Sequence, residues 1–359
     1  MKKINLLIVL FVVTLGLFSS CEKDNNDNNL EPEISLDGNA IILNEGASAK
    51  GSISMFNEEN GTINNGYYEK MNGKKIAAST QSISLHNGKL YCLTYGADGM
   101  VIMDATDNMK VNVNPLTTGL ITPRFFTAKG NRGYVSCYGK NYYPNYEESF
   151  IAVIDLDSNE IISTIKRKGG FEDLAIVGDK LYAASINTKE VAVFDINKNV
   201  FLKAISIPDN GRFLIKNSDN NLWVSHSSYI GNDNKGISLI NTQNDTVEKT
   251  IKTPRMASSG IMASNTDASK IFVLGAEGYP SKKSSIILVE TSNNKVVAKA
   301  LIEGESFYGL GYNQKTERIY VLRSPDYATP GFISVYKSDG TAVYENITSG
   351  VSPKQVLFF

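Results

Sequence analysis

Short apolar segments alternate with polar connections along most of this 359-residue chain, a pattern that predicts β-strands joined by turns. Residues 179–197 show it most clearly. Leu181–Ser185 and Val191–Phe194 are apolar, and a polar turn follows them at Asp195–Asn199. Both parities of these strands are apolar, which indicates sheets covered on two sides. The unit recurs along the chain, so it is a repeat and not an isolated hairpin.

Two anchor positions define seven copies of this unit. The first anchor is a large apolar residue at the centre of one strand: Ile41, Tyr91, Tyr134, Tyr182, Trp223, Phe272 and Tyr320. The second is a polar residue that ends the following strand: Asn57, Asp104, Asp155, Asp195, Asn241, Glu290 and Lys337. First anchors recur at intervals from 41 residues, between Tyr182 and Trp223, to 50, between Ile41 and Tyr91. This period predicts an all-β, seven-bladed β-propeller.

The first blade, which begins near Gly38, lacks a candidate inner strand. Its candidate strands are Ala40–Asn44, Gly51–Asn57 and Ile63–Tyr68. The C-terminal segment Ser352–Phe359 resembles the inner strands Gln81–Leu85 and Arg212–Ile215 of other copies. We therefore expect the C-terminal strand to complete the first blade and close the ring, which leaves no free edge.

The N-terminus predicts export. Lys2 and Lys3 precede an apolar run, Ile4–Phe18, that is shorter than the about 18–20 residues of a membrane span and typical of a secretory signal. Cys21 follows small residues in a pattern that resembles a bacterial lipobox, which implies that Cys21 is lipidated. We divide the chain into a lipoprotein signal peptide at 1–20, a flexible polar tether at 21–37 and a propeller at 38–359.

Composition excludes several functions. Acidic and basic residues nearly balance, 37 against 36, and no basic run indicates nucleic-acid binding. Cys92 and Cys137 share one parity relative to their anchors, so they face different blade interfaces, and we predict two buried free thiols. The two histidines are His86, expected to be solvated at a tight turn, and His226, which could ligate a metal at the start of a loop.

No motif for a metal site, a phosphate loop or a nucleophile elbow occurs, so we expect no enzyme activity, no metal and no cofactor. A calcium-dependent propeller hydrolase is the enzymatic alternative, and Glu172 would be its chief inner-strand carboxylate. Asp155–Glu160 has the composition of a calcium loop, but a short turn occupies this register in every copy, which favours a structural role. Asp245-Thr246-Val247 resembles an O-glycosylation acceptor of Bacteroidetes.

The opposite rim predicts a binding surface, because blades three, five, six and seven carry insertions of different length there. Tyrosines in or beside these connections are candidate ligand contacts, and packing between loops is the alternative for several: Tyr95, Tyr142, Tyr143, Tyr146, Tyr229, Tyr279 and Tyr327. Residues where the chain enters each inner strand are the candidate pocket: Gln81, Arg124, Phe125, Phe171, Glu172, Arg212, Met256, Phe307, Tyr308 and Lys354. Phe125 and Phe213 could instead belong to the core.

Several segments resemble YncE-like seven-bladed propeller lipoproteins of Bacteroidetes, over about residues 38–359: Ile42–Gly46, Gln81–Ser82, Thr122–Phe126, Gly169–Glu172 and Asn221–Val224. The acidic stretch after Cys21 resembles the surface-export signal of such lipoproteins, which implies lipid anchoring on the outer face of the outer membrane.

The BtuG-type branch of these proteins captures cobalamin and passes it to a TonB-dependent transporter. Membership would place a corrinoid on the insertion-bearing face, against Arg124, Glu172, Arg212 and the loop tyrosines. The alternatives are a glycan-binding protein and a non-catalytic protein-interaction propeller of the cell envelope.

Overall fold

The computed structural model describes residues 38–48, 50–228, 234–277 and 282–359. Within these residues the chain forms seven antiparallel sheets arranged as a seven-bladed β-propeller, which confirms the predicted fold. The predictions for the signal peptide, Cys21, the tether, Tyr229 and Tyr279 fall outside the described residues. No helix in the described part of the chain has the length and apolarity needed to cross a membrane.

Each blade runs from an inner strand at the central channel to an outer edge. Blade one contains β1 (Asn39–Asn44), β2 (Ser52–Asn57), β3 (Ile63–Asn64) and the C-terminal β27 (Pro353–Phe358). Blade two contains β4 (Ser79–His86), β5 (Lys89–Tyr95) and β6 (Gly99–Asp104). Blade three contains β7 (Pro123–Lys129), β8 (Arg132–Cys137), β9 (Phe150–Asp155) and β10 (Glu160–Lys166). Blade four contains β11 (Phe171–Val177), β12 (Lys180–Ser185), β13 (Glu190–Asp195) and β14 (Val200–Ser206).

The remaining blades have the same order. Blade five contains β15 (Gly211–Lys216), β16 (Leu222–His226), β17 (Gly236–Asn241) and β18 (Thr246–Lys252). Blade six contains β19 (Met262–Ser264), β20 (Lys270–Ala276), β21 (Lys283–Glu290) and β22 (Lys295–Glu305). Blade seven contains β23 (Phe307–Asn313), β24 (Arg318–Arg323), β25 (Pro330–Lys337) and β26 (Ala342–Val351).

The C-terminal strand completes blade one, as predicted. β27 pairs antiparallel with β1, and Leu357 lies opposite Ile41. The backbone N–H of Glu45 donates to the Ser352 carbonyl at 2.9 Å, which continues the pairing beyond the strand. Val356 packs into the core between blades seven and one. The first blade therefore joins the two ends of the described chain and closes the ring without a covalent bond.

The seven first anchors are all buried at 2% exposure or less, because each lies at the centre of the second strand of its blade. The hydroxyl groups of Tyr134, Tyr182 and Tyr320 bond to the next blade. Tyr182 donates to Asp245 Oδ1 at 2.7 Å, and Tyr320 donates to the buried carboxylate of Glu58. A large ring can therefore fill an interface while its polar atom remains hydrogen-bonded.

The turn that follows each second anchor is structural, in agreement with the sequence. The Asp155 carboxylate accepts the backbone N–H groups of Asp157 and Ser158 at 3.0 and 2.9 Å. Asp195 accepts the two equivalent N–H groups of its own turn. Backbone N–H donors lower the pKa of Asp155. Among the described residues, no group of three or more acidic, histidine or cysteine side chains could hold a metal ion.

Two details of the first two blades differ from the sequence prediction. The strand expected at Ile63–Tyr68 ends at Asn64, and helix α1 (Tyr67–Asn72) follows. This helix lies against the loop after β6, where Asn72 Nδ2 donates to the Met109 carbonyl at 3.0 Å. In the described residues blade two has three strands, and a bridge between Met100 and Leu116 occupies the position of a fourth. Helix and loop cover the sheet edge that a fourth strand would otherwise protect.

The predicted free thiols are confirmed: Cys92 and Cys137 are both unpaired and buried. Burial raises the pKa of each thiol to about 12, so neither is a reactive thiolate. The metal-ligand alternative for His226 is wrong. Its side chain is fully buried, with Nδ1 2.9 Å from the Asn234 carbonyl and Nε2 2.9 Å from Ser238 Oγ. Burial lowers the pKa of His226 to about 4.

Candidate functional site

The inner strands bulge where they face the mouth of the central channel. On β7, β11 and β15, two residues stand opposite one partner residue, and these pairs are Arg124-Phe125, Glu172-Asp173 and Arg212-Phe213. On β4, β23 and β27, a single residue interrupts the register: Gln81, Tyr308 and Lys354. In blade six the described pairing of β19 stays regular. A bulge redirects side chains, and all nine of these residues line one cavity of about 540 Å³.

The bulged strands keep their backbone groups bonded. The N–H of Phe125 donates to Ser136 Oγ at 3.0 Å, and the N–H of Phe213 donates to Ser225 Oγ at the same distance. Ser136 also donates to the Glu172 carbonyl at 2.7 Å, so it connects blades three and four. These serines, which lie opposite the bulges, stabilise the distorted backbone that presents the site.

Arg124 and Glu172 form the centre of the charged residues that line the cavity. Arg124 Nε and Nη2 donate to the two Glu172 oxygens at 3.0 and 2.7 Å, and Nη1 donates to Gln81 Oε1 at 2.8 Å. Tyr138 lies with its ring 4.6 Å from the Arg124 guanidinium carbon and donates its hydroxyl to Glu172. This is a bidentate, nearly buried ion pair connecting three blades.

The pair shifts the pKa of both members. Burial opposes ionisation of Glu172, but the Arg124 charge and the hydrogen bonds from Arg124 and Tyr138 outweigh it, and the pKa of Glu172 is lowered. Burial likewise opposes the charge on Arg124, yet Glu172 and Tyr138 raise the pKa of Arg124. Both groups are therefore ionised at neutral pH, and each is oriented by the other.

A second ion pair lies beside the first. Lys354 Nζ is 3.2 Å from Glu45 Oε2 and 3.4 Å from Gln81 Oε1, so Gln81 connects the two pairs. Tyr308 donates its hydroxyl to Glu45. Burial lowers the pKa of Lys354 although Glu45 opposes this shift, and burial raises the pKa of Tyr308. Blades seven, one, two, three and four are thus joined by one polar network along the cavity wall.

Apolar residues also line the cavity. Ile261, Met262 and Leu310 line it on blades six and seven, and Ile186 lines it on blade four. Phe125 and Phe213 meet edge to face with ring centroids 5.5 Å apart, although they come from blades three and five. Both are half-buried and contribute to the cavity wall, and Phe213 also packs against the core between blades five and six. The cavity therefore combines charged and apolar residues, and on blades three and five the two kinds are neighbours in one bulge.

The long loop of blade three brings tyrosines to the cavity rim. Tyr138, Tyr142 and Tyr146 contact one another with ring centroids 4.9–5.7 Å apart. Tyr95 lies within hydrogen-bond distance of Tyr142, with 3.1 Å between the hydroxyl oxygens. Tyr146 packs over Gly170, whose φ of 63° and missing side chain permit the contact, since a Cβ would lie 2.6 Å from the ring. Of these four tyrosines, Tyr138 and Tyr146 line the cavity itself.

Three predicted pocket residues are buried elsewhere. Phe171 is fully buried in the core between blades three and four, Met256 is 1% exposed between blades five and six, and Phe307 is 9% exposed between blades six and seven. Each lies outside the cavity lining. Phe171 and Phe307 immediately precede a bulge, so the neighbouring residue faces the channel while the aromatic ring packs between blades.

Two further loop tyrosines, Tyr143 and Tyr327, are exposed. Tyr143 is 80% exposed, and Tyr327 is 59% exposed with its ring against Tyr308 at 5.1 Å. Sequence reasoning omitted the apolar wall residues Ile186, Ile261, Met262 and Leu310. It also omitted Tyr138, Asp173 and Glu45, which join the polar part of the site. In the sequence, Tyr138 follows the end of β8, Asp173 follows Glu172, and Glu45 lies within the segment Ile42–Gly46. The sequence does not show which residue of a bulge faces the channel.

One solved structure supports the architecture, and a second is a weaker match. A quinonprotein alcohol dehydrogenase-like protein from Bacteroides thetaiotaomicron matches with a TM-score of 0.68 and 19% sequence identity, over 89% of this chain and 78% of that chain. At this identity the likeness shows the fold alone. Hydrazine synthase of Kuenenia stuttgartiensis matches with a TM-score of 0.49 and 15% identity over 62% of this chain, which spans 64% of that chain.

No curated protein matches this sequence. One family model does match, over residues 38–350, and it is described as Domain of unknown function (DUF5074). The match spans nearly the whole propeller, and the chain therefore belongs to this family.

Proposed function

We propose that this protein is a non-catalytic capture protein that binds a bulky amphipathic ligand at the mouth of the propeller channel. The observation that carries the proposal is the convergence of the bulged inner strands on one cavity that is lined by both charged and apolar residues. A site of this kind orients a ligand through a few polar contacts and gains affinity from apolar burial.

The side chains at the site support binding over catalysis. Glu172 accepts from Arg124 and Tyr138, and Glu45 accepts from Tyr308 and pairs with Lys354. A carboxylate with a lowered pKa and several donors is a weak general base, and the described cavity lining contains no serine or cysteine beside a histidine. Ion pairs of this kind position a ligand and do not transfer protons.

The leading ligand is a corrinoid such as cobalamin, handed on to a TonB-dependent outer-membrane transporter by a lipid-anchored protein that faces the cell exterior. This part rests on the resemblance to the BtuG-type lipoproteins. Its physical support is chemical complementarity. A corrinoid is a large macrocycle with apolar faces and peripheral amides, and the cavity offers Gln81, Arg124 and tyrosines beside apolar residues.

Equilibrium titration with cobalamin and cobinamide tests the proposal. Wild-type protein should bind at micromolar concentration or below, and Arg124→Lys should bind about tenfold more weakly, because lysine keeps the charge but loses the planar contacts to Glu172 and Gln81. The matched control is Arg132→Lys at the exposed turn end of β8, which should bind like wild type. Absence of binding by either corrinoid at micromolar concentration would rule out this ligand class.

A second candidate is a protein-interaction surface, which the exposed rings of Tyr143 and Tyr327 favour. Exposed tyrosines at a rim also suit stacking on a glycan. Replacing both with alanine should abolish recovery of a membrane partner, or retention on a glycan array, and leave small-ligand affinity unchanged. Loss of both properties together would instead make these tyrosines part of the small-ligand site.

A further inference from the structure

Two ion pairs at the cavity already satisfy four of its charges. Arg124 donates to both oxygens of Glu172 at 3.0 and 2.7 Å, and Lys354 Nζ lies 3.2 Å from Glu45 Oε2. Each of these cations therefore has a carboxylate as its counter-ion. A charged ligand would have to break one of the pairs or enter the cavity without a counter-ion. Both events cost free energy, because little water reaches these groups to compensate them.

Asp173 and Arg212 add one further charge of each sign. The two oxygens of Asp173 accept backbone N–H groups, from Leu174 and from Leu214, each at 2.9 Å. Arg212 is 6% exposed, and its Nε donates to the Ser227 carbonyl at 3.4 Å. The described part of the site thus contains three basic and three acidic side chains, and neither sign is in excess.

Gln81 differs from these groups, because its amide is held at one end and available at the other. Oε1 accepts from Arg124 Nη1 at 2.8 Å and from Lys354 Nζ at 3.4 Å. Arginine and lysine only donate, so the atom that meets both of them is the oxygen, and the NH₂ group lies on the other side of the amide. Nε2 makes no hydrogen bond with the described residues and is not one of their enclosed unpaired polar atoms. Its N–H groups are therefore open to the cavity that Gln81 lines.

Two hydroxyl groups at the cavity have the same property. Tyr146 belongs to the long loop of blade three, and Ser259 lies in the connection that leads to β19. Neither hydroxyl bonds to a described residue, and neither is enclosed. Together with Gln81, they give the cavity uncharged hydrogen-bonding groups at three places around the ring.

We infer that the cavity selects an uncharged ligand with a carbonyl oxygen, as in an amide, an ester or a ketone, and that Gln81 donates to this oxygen. The inference rests on the proposed binding function and adds the charge and the recognised group of the ligand to it. Arg124 and Lys354 are positioning residues, since they fix the direction of the Gln81 amide while each keeps its own counter-ion. A donor with a fixed direction rejects a group that cannot accept, because its N–H would then be buried unpaired.

Four aromatic probes test the charge of the ligand on the wild-type full chain. Acetophenone and benzamide are uncharged and carry a carbonyl, whereas benzoate and benzamidinium have nearly the same shape and carry one negative or one positive charge at neutral pH. Dissociation constants are measured by NMR titration at millimolar probe concentration. We expect each charged probe to bind at least about tenfold more weakly than benzamide, because its charge lacks a counter-ion in the cavity. The side-chain N–H resonances of Gln81 should shift with acetophenone, a reading that needs no variant to fold.

Gln81→Glu keeps an oxygen for Arg124 and Lys354 but replaces the donor with a second oxygen. Acetophenone, which only accepts, should bind about tenfold more weakly to this variant. Benzamide should lose less affinity, because its own N–H can donate to the new carboxylate. Damage to the fold alone would weaken both probes alike. Gln243→Glu is the matched control, which places the same charge at an exposed turn of blade five and should leave both affinities unchanged.

Three results would overturn the inference: a charged probe that binds as tightly as benzamide, equal weakening of acetophenone and benzamide by Gln81→Glu, or binding of no probe at all. The first result would leave the proposed capture function intact, because the cavity would still bind a ligand. The corrinoid titration is independent of all three. Binding of the uncharged probes in the expected order without binding of a corrinoid would support the inference and reject the corrinoid.

Discussion

The two faces of this propeller are built from the same seven repeats but follow different rules. On the turn face, a second anchor such as Asp155 or Asp195 ends a strand and accepts the N–H groups of the following turn. On the opposite face, the inner strands bulge and the loops differ from blade to blade. Repetition of one turn keeps the ring regular, while irregular register at the other end of the same strands creates a site.

The comparison also concerns charge. The turn face carries exposed pairs such as Lys129 with Asp179, whose side chains are 49% and 65% exposed. The channel mouth carries Arg124 with Glu172, at 17% and 10%. Solvent screens the first pair, whereas the second must be satisfied by protein groups alone. An exposed ion pair therefore contributes little to stability on the turn face, whereas the nearly buried pair at the channel mouth is part of the structure.

Removal of β27 should have the largest effect, because this strand both closes the ring and supplies Lys354 to the site. A chain that ends at Ser352 exposes the edge of β1 and removes Val356 from the core between blades seven and one. We expect aggregation or loss of a cooperative thermal transition, measured by gel filtration and circular dichroism. Lys354→Gln keeps the strand and should fold; a monomeric, cooperatively unfolding truncation would show that closure is dispensable.

Glu172→Ala should have the next largest effect on stability. It leaves the Arg124 guanidinium nearly buried without its bidentate partner, and we expect a loss of about 3–5 kcal/mol in the free energy of unfolding. Chemical denaturation measures it. Asp179→Ala removes the acid of the exposed pair on the turn face and should leave stability unchanged. Equal effects of the two substitutions would remove the distinction between the faces.

Tyr320→Phe tests a contact between blades, in which the first anchor of blade seven bonds to Glu58 in the turn after Asn57 of blade one. Glu58, 6% exposed, would lose one of its donors while Asn313 Nδ2 remains at 2.7 Å. We expect a cost of about 1–3 kcal/mol, measured by denaturant titration. Tyr134→Phe is the matched control, since its hydroxyl donates to the neutral Ile196 carbonyl at 3.4 Å and not to a buried carboxylate. A control that costs as much as Tyr320→Phe would contradict the role of Glu58.

Asp195→Ala should have the smallest effect. It removes two acceptor contacts in one turn of blade four, at a cost of about 1 kcal/mol. Ligand affinity should not change, because this turn lies at the end of the blade opposite the cavity. Parallel measurement of unfolding and of probe binding checks both statements. A change in affinity would mean that the turn face influences the site through the blade.

The sequence by itself determined the parts of the fold that depend on local and repeated patterns. The period of the anchors specifies seven blades, the polar second anchors specify the turns, and the similarity of Ser352–Phe359 to inner strands specifies the closure. The short third strand of blade one was the exception, because Tyr67 and Tyr68 are apolar enough for a strand and yet belong to α1, which packs on the neighbouring loop.

Only the tertiary structure decided which residues form the site. Arg124, Glu172 and Gln81 were identified from their charge at strand entrances, but Phe171 faces the core and Asp173 the channel. The reason is that side chains alternate along a strand, so a bulge of one residue reverses which neighbour points inward. Tyr138 and Glu45 join the site through contacts with residues of other blades, and sequence spacing alone does not encode those distances.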